Sequence, residues 1–446
     1  MRAPPRLYAL ATAAALALAG TALAPTATAT AVSATAVAAS APPGTATAVT
    51  DPAATGTAAT GTAATGTAAT DPAATDLAAT APAATAPAVT GPAATAPAGA
   101  PSQRPAPAAA PPRLRASGNR LVDEKGATRR LLGVNRSGGE FMCVQGRGIF
   151  DGPVDDASVQ AIADWKAGAV RIPLNEECWL GLSHVNPAYA GANYIAAVTS
   201  FVARLEAHGI TPVIELHWTH GTYTGGDSHC PGTEYATCQK PMPDAQYTPA
   251  FWTSVAQTFK NDQAVVFDLF NEPFPDRATS DLTAAWRCWR DGGSCPGIDF
   301  QVAGMQTLLN AVRATGARNL VLIPGVAYSN DLRQWLTYKP NDPAGNLAAA
   351  WHSYNFNSCS SESCFDQQLA PVIAQVPLVA GEIGENTCSH GYIDRVMAWL
   401  DAKGASYLGW TWNTWDCSSG PSLISDYNGT PTNFGVGLRD HLKGMH

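Results

Sequence analysis

The sequence predicts an α/β domain of parallel strands closed into a (β/α)8 TIM barrel, and three observations carry that expectation. Short apolar runs alternate with longer segments of helical period from about residue 131 to the C-terminus, the pattern of parallel strands joined by crossover helices. The roughly 330 residues from 113 onward exceed the ~250 of a typical eightfold barrel and leave room for loop insertions. Two of the apolar runs also deliver a glutamate at their ends. The run 265–270 stops at Asn271-Glu272-Pro273, and the run 376–384 carries Glu382 in Gly381-Glu382-Ile383-Gly384. Carboxyl ends of parallel barrel strands are where reactive groups project.

The elements follow in order. Residues 114–134 open the domain, and Gly118-Asn119 and Gly126 mark turns of a short N-terminal hairpin, placed as a lid on the amino-terminal face of the barrel. Strand one is read at 131–135 with its helix at 157–167. Strand two, 169–174, precedes a helix at 192–208 that Gly209 ends. Strand three is 212–218 with a helix at 249–260. Strand four is 265–270, followed by a helix at 300–314 ended by Gly316. Strand five, 320–324, leads to a short helix around 331–335. Strand six, 347–354, is followed by a helix at 365–375. Strand seven, 376–384, precedes a helix at 392–403, and strand eight, 406–412, precedes the last helix at 434–443.

The segment before this domain has another character. Residues 1–29 read as a secretory signal: Arg2 and Arg6, an apolar run from Leu7 to Gly20, then small residues that allow cleavage after Ala24 or Ala29. Residues 30–112 are almost entirely Ala, Thr, Pro and Gly, with a five-residue unit ending at Thr55, Thr60 and onward to Thr95. No large side chain is present there to offset the entropy of ordering, so a disordered linker is expected, its threonines open to glycosylation. No Phe, Trp or Tyr lies between Tyr8 and Phe141, so the leader lacks the aromatic platform of a sugar-binding module. The catalytic domain is placed at 113–446.

All ten cysteines lie from Cys143 onward, and an even number in an exported chain points to disulfides. Sequential pairing, one connectivity among many, gives Cys143 with Cys178, Cys230 with Cys238, Cys288 with Cys295, Cys359 with Cys364 and Cys388 with Cys417. A formal charge of −8 argues against nucleic acid or an anionic membrane as partner. A neutral polysaccharide is compatible with it. An extracellular monomer is expected.

Two glutamates on two strand ends suit glycoside hydrolysis, in which one carboxyl protonates the leaving oxygen while the other attacks carbon or activates water. At these residues the sequence resembles glycoside hydrolase family 5, a retaining family that includes cellulases and mannanases. The resemblance implies eight strands, with the acid/base on strand four, here Glu272, and the nucleophile on strand seven, here Glu382. It implies that Arg171 lies beside the nucleophile, where a cation orients the carboxylate and holds it ionised. It further implies sugar-binding roles for His217, Trp218 and Asn271, with Asn271 on the sugar 2-hydroxyl. His352 and Tyr354 become partners of the carboxylates, with Tyr354 bonding the nucleophile. Of Trp410 and Trp412, the second is favoured as the floor of the pocket, because sugar C–H faces stack on aromatic rings.

Competing readings are weighed on the same residues. His217, His220, His229 and Cys230 could make a metal site, but the intervening loop is rich in glycine and Cys230 has a nearer use as a disulfide partner of Cys238. No metal or organic cofactor is required by the two-carboxylate reaction. Asp268 and Glu215 lie within strands and read as structural, and Glu385 lacks the motif that surrounds Glu382. The substrate expected is a β-linked polysaccharide, first of all a β-1,4-glucan; mannan, xyloglucan or a short glycoside cut from its end are alternatives. A catalytically silent carbohydrate-binding barrel is the competing class, and its mark would be a missing carboxylate or arginine. Insertions at 221–243, 286–295 and 358–364 are expected to narrow the groove.

Overall fold

The structure is a computed structural model that describes residues 109–226, 232–416 and 420–445. The expected signal and linker, 1–108 of them, lie outside the described residues, as do His229, Cys230 and Cys417.

Eight parallel strands close into a barrel. They are β1 (Leu132–Asn135), β2 (Ala169–Asn175), β3 (Thr211–Trp218), β4 (Val266–Asp268), β5 (Val321–Pro324), β6 (Leu347–Tyr354), β7 (Leu378–Gly384) and β8 (Ser406–Gly409). Each pairs with its sequence neighbour, and β8 returns to β1 through Tyr407, Leu408 and Gly409 against Leu132, Gly133 and Val134. The outer helices are α1 (Asp156–Asp164), α2 (Ala192–Ala207), α3 (Thr248–Phe259), α4 (Met305–Ala314), α5 (Trp335–Tyr338), α6 (Glu362–Gln368), α7 (Gly391–Lys403) and α8 (Asn433–Gly444).

Period-two alternation divides the strands into two cores. Val170, Ile172 and Leu174 of β2 and Ile214 and Leu216 of β3 face the helices, in the large outer core. Ala169, Val213, Val266, Leu322, Ala348, Val379 and Leu408 point inward. Leu114 and Leu121 join this inner cluster, so the amino-terminal hairpin, extended by Thr128–Arg129 to a third strand, plugs the bottom of the barrel. The apolar floor is one residue deep on β2 and deeper on β6, where both Ala348 and Ala350 belong to it. Above it, the inward positions of β2, β3 and β4 are Arg171, Glu215 and Asp268.

Several boundaries differ from expectation for local reasons. The helix expected at 300–314 starts at Met305, because Gln301–Ala303 pairs with Gly292–Ser294 as a two-stranded ribbon. The helix expected at 365–375 breaks after Gln368 into a second short helix, Ala370–Ile373. Pro371 cannot donate the bond that would continue it. Three disulfides are described: Cys143–Cys178, Cys288–Cys295 and Cys359–Cys364. The other two expected bridges each include a cysteine outside the described residues. No described helix is long and apolar enough to cross a membrane.

Candidate active site

Arg171 is the hub of the site. It continues the inward phase of Ala169 on β2, and its side chain is fully buried. Its Nε donates to Asp268 Oδ2 of β4 at 2.8 Å, its Nη1 to Glu382 Oε1 of β7 at 2.8 Å, and its Nη2 to Asn271 Oδ1 at 3.0 Å. Glu215 of β3 lies 3.6 Å from Nη2. One guanidinium thus ties four loops and strands together through planar, charge-assisted bonds. Asp268 and Glu215, read from sequence as structural, are the groups that hold this arginine.

Glu382 reaches the interior through an irregularity. Val379 points inward and Ala380 outward, so strict alternation would send Glu382 outward as well. The pairing register shifts between Ala380 and Ile383, and the pairing with β6 shifts beside it at His352. Such a bulge re-aims one side chain, and here it turns the carboxylate into the barrel. Tyr354 Oη donates to Glu382 Oε2 at 2.6 Å, so both carboxylate oxygens are engaged. Gly381 permits the packing, since a Cβ there would meet His352 Nε2 at 3.1 Å.

Glu272 stands opposite, just past β4, and keeps 21% of its side chain exposed against 4% for Glu382. Its Oε1 lies 2.9 Å from His352 Nδ1. One ligand atom each from Glu272, His352 and Glu382 fall within 4.8 Å of one another. The two carboxyl groups therefore face one another across the mouth of the barrel, the arrangement that two-carboxylate glycoside hydrolysis requires. Glu385 is excluded from this cluster. Its Oε2 accepts from the backbone N–H of Tyr392 and Ile393 and so caps α7.

Burial sets the protonation pattern. Burial first, and the Glu382 charge second, push the Glu272 carboxyl well above the ordinary range. Burial lowers His217 to about 4 and His352 well below its usual value, so both rings are neutral. Asp268 and Glu140 are each pushed up to about 7, in both cases by burial.

A stability profile follows. Buried acids raised to about 7 stay protonated in the fold after the unfolded chain, with ordinary carboxyls near pH 4, has released its protons. Their stabilisation is complete below that ordinary value and is lost as pH rises to about 7. Glu176, Glu206, Glu215 and Glu272 act in the same direction, whereas His217 and His352 oppose it below pH 6.5. With more raised acids than lowered histidines, the melting temperature should fall between pH 5 and pH 7.5. Calorimetry checks this, and a melting temperature that rises across the window contradicts it.

The site opens into a cavity of about 540 Å³ bordered by His217, Asn271, Glu272, Tyr354, Glu382 and Trp410 among others. Two expectations are corrected here. Trp412 does not floor the cavity: it is fully buried and packs edge-on against Trp165 at 4.8 Å. Strand β8 ends at Gly409, so alternation does not govern the two tryptophans, and Trp410 borders the cavity, stacked on His217 at 5.6 Å and 13°. Trp218 is half-buried and is not among the cavity-lining residues; it sits at the end of β3, where the pairing with β2 shifts register, with its ring 6.4 Å from that of His217. The remaining expected site residues, Arg171, His217, Asn271, Glu272, His352, Tyr354 and Glu382, come together.

Sequence reasoning missed Gln239, Tyr328 and Phe356, all of which line the cavity. Tyr328 sits in a run of three left-handed residues, Ala327, Tyr328 and Ser329, which no local signal announces. Phe356 is 63% exposed and stacked on Tyr354 at 5.2 Å. Its place two residues past Tyr354 was the available clue. The insertions divide accordingly: 221–243 supplies Gln239 and 358–364 supplies Ser358. The 286–295 insertion does not narrow the groove, because Trp286 and Trp289 are fully buried against each other and Tyr338.

Among the described residues, Glu272, His352 and Glu382 are the one group of three with metal-ligand spacing. The Arg171 cation, 2.8 Å from Glu382, already supplies the positive charge there. His217 and His220 bond Glu215 and Glu177 respectively, each through Nδ1, and His229 and Cys230 lie outside the described residues.

A closed parallel barrel with a close glutamate pair at its carboxyl end defines the class of two-carboxylate glycosidase barrels. The family model for cellulase (glycosyl hydrolase family 5) matches residues 123–416, and the chain belongs to this family. An endoglucanase of Paenibacillus polymyxa is 22% identical over 351 residues, covering 70% of this chain and 82% of that one. A manganese-dependent endoglucanase of Phanerodontia chrysosporium is 26% identical over 210 residues, and the match spans 46% of each chain. The chain therefore matches about half the length of that relative. Among solved structures, a β-glucanase of Saccharophagus degradans shares the fold, with a TM-score of 0.57 at 18% identity, over 77% of this chain and 98% of that one.

Proposed function

We propose that this chain is a secreted, retaining β-1,4-glucan hydrolase, in which Glu382 is the nucleophile and Glu272 the acid/base. The observation that carries the reading is the asymmetry of the pair. Glu382 is gripped on both oxygens by Arg171 and Tyr354, while Glu272 is bonded only to a neutral histidine and is held protonated.

In the first step a Glu382 oxygen attacks the anomeric carbon and forms a glycosyl ester. The bond from that carbon to the leaving oxygen breaks, and the Glu272 proton passes to that oxygen. Esterification removes the Glu382 charge, one of the causes that raise the Glu272 carboxyl, so the spent acid becomes a competent base. Glu272 then takes a proton from water, the water oxygen bonds to the anomeric carbon, and the ester to Glu382 breaks. Asn271, oriented by Arg171, meets the sugar 2-hydroxyl, and Trp410 offers its face to the ring being cut.

Support for a glucan comes from the endoglucanase relatives and from the Saccharophagus degradans enzyme, whose structure is also solved in complex with cellotetraose. Export is supported by the residue 1–29 signal pattern and by the described disulfides. Residues 30–112 then form a spacer ahead of the enzyme.

Product analysis on a panel of β-glycans, with Glu272→Gln as blank, tests the reading. A ladder of cello-oligosaccharides is expected; hydrolysis of another glycan only, or no hydrolysis, rejects it. Phe356, exposed at the cavity rim, contributes an aromatic face to a longer chain. Phe356→Ala should lower kcat/KM on cellopentaose roughly three- to tenfold with an unchanged melting temperature. Equal kinetics would remove Phe356 from the binding surface.

A further inference from the structure

We infer that Gln239 is a specificity-determining residue that, with Asn271, recognises the sugar 2-hydroxyl as both donor and acceptor. The inference rests on the preceding reading of Asn271, and the 221–243 insertion supplies the second half of the recognition.

The Asn271 amide is fixed at three points. Its Oδ1 accepts from Arg171 at 3.0 Å, which sets the flip of the amide. Its Nδ2 faces two acceptors, Gln239 Oε1 at 2.9 Å and His217 Nε2 at 3.3 Å. The first is an ordinary hydrogen bond and the second a long one. Gln239 therefore holds the better of the two donor positions that a substrate hydroxyl would use. A hydroxyl seated beside this bonded pair can use both groups, accepting a shared proton from Asn271 Nδ2 and donating its own to Gln239 Oε1. Hydrogen can do neither at that place. Fluorine can accept and cannot donate.

Gln239 is not a loosely placed loop residue. Its Nε2 donates to Lys240 O at 2.9 Å, which directs Oε1 toward Asn271. On one side of it, Ala236 O accepts from the buried Asn175 at 2.7 Å. On the other, Pro241 O accepts from Phe274 N at 2.9 Å, two residues past Glu272. The insertion is tied by these bonds to the ends of β2 and β4, and it presents one amide to the cavity shared by Glu272, Glu382 and Trp410.

The test compares kcat/KM for an aryl β-cellobioside with that for its analogue lacking the 2-hydroxyl on the sugar whose bond is cut. Wild type should favour the hydroxyl-bearing substrate. In Gln239→Ala this preference should fall about three- to tenfold, the worth of one neutral hydrogen bond. Gln239→Glu keeps the acceptor and should restore most of the preference. Its added negative charge near Glu272 should also move the alkaline limb of kcat/KM to higher pH. Should Gln239→Ala lose its fold, the ratio is read on Gln239→Leu, which keeps the volume. Equal losses on both substrates, or no change in the ratio, would overturn the inference and leave the hydrolase reading intact. A wild-type enzyme that cleaves neither glycoside would overturn both.

Discussion

Glu382→Gly should lose turnover by roughly four orders of magnitude or more, and sodium azide should return part of it as a glycosyl azide of inverted configuration. The reason is geometric. Arg171 and Tyr354 fix both oxygens of Glu382, and the bulge on β7 aims them into the barrel, so no other carboxylate can take the place. Glu385 cannot move in, since its oxygens hold the start of α7. Glu272→Gly should behave differently. An aryl glycoside with an acidic phenol needs little protonation to leave, so the first step should survive and the second should stall, with azide yielding the retained product. General acid–base help is worth about 10²–10⁴-fold, and the deficit should be largest on unactivated glucan. Rescue with the opposite stereochemistry at the two positions would exchange the roles.

The second large effect concerns folding. At pH 8, above the range in which Asp268 stays protonated, Arg171→Met should cost about 3–5 kcal/mol of stability, because it leaves the buried Asp268 and Glu382 carboxylates without their cation. Denaturant unfolding measures this. Adding Asp268→Asn to Arg171→Met should recover part of the loss while activity stays absent, since the nucleophile still lacks its partner. A fully stable Arg171→Met variant would show that the buried carboxyls are neutral enough to stand alone.

How much of this was legible beforehand depended on whether a feature is local. The places of the strands were, because a buried parallel strand is an apolar run bounded by breakers, and the resemblance to the family supplied their number. The glutamates were, because each ends such a run in a motif of the family. The inward aim of Glu382 was not, since it depends on a register shift between neighbouring strands that are far apart in sequence. Trp412 was misplaced for a related reason: strand β8 stops at Gly409, and alternation was extended beyond it. The place of Trp218 was not legible either, because the pairing of β3 with β2 shifts register at this residue. Gln239 belongs to an insertion whose path is set by carbonyls bonded to Asn175 and Phe274, and no periodicity encodes that. Trp286 and Trp289 looked like groove residues by composition alone, and their burial follows from packing against α5.

The account stands on a covalent intermediate at Glu382. The most direct measurement is peptide mass spectrometry of the domain after incubation with an activated 2-deoxy-2-fluoro cellobioside, whose fluorine slows both steps while its good leaving group keeps the first fast enough for the ester to accumulate. The expected result is one added glycosyl group per chain, on the peptide that contains Glu382, with none in Glu382→Gln. A label on Glu272, or an inverted product with no labelled peptide at all, would contradict it.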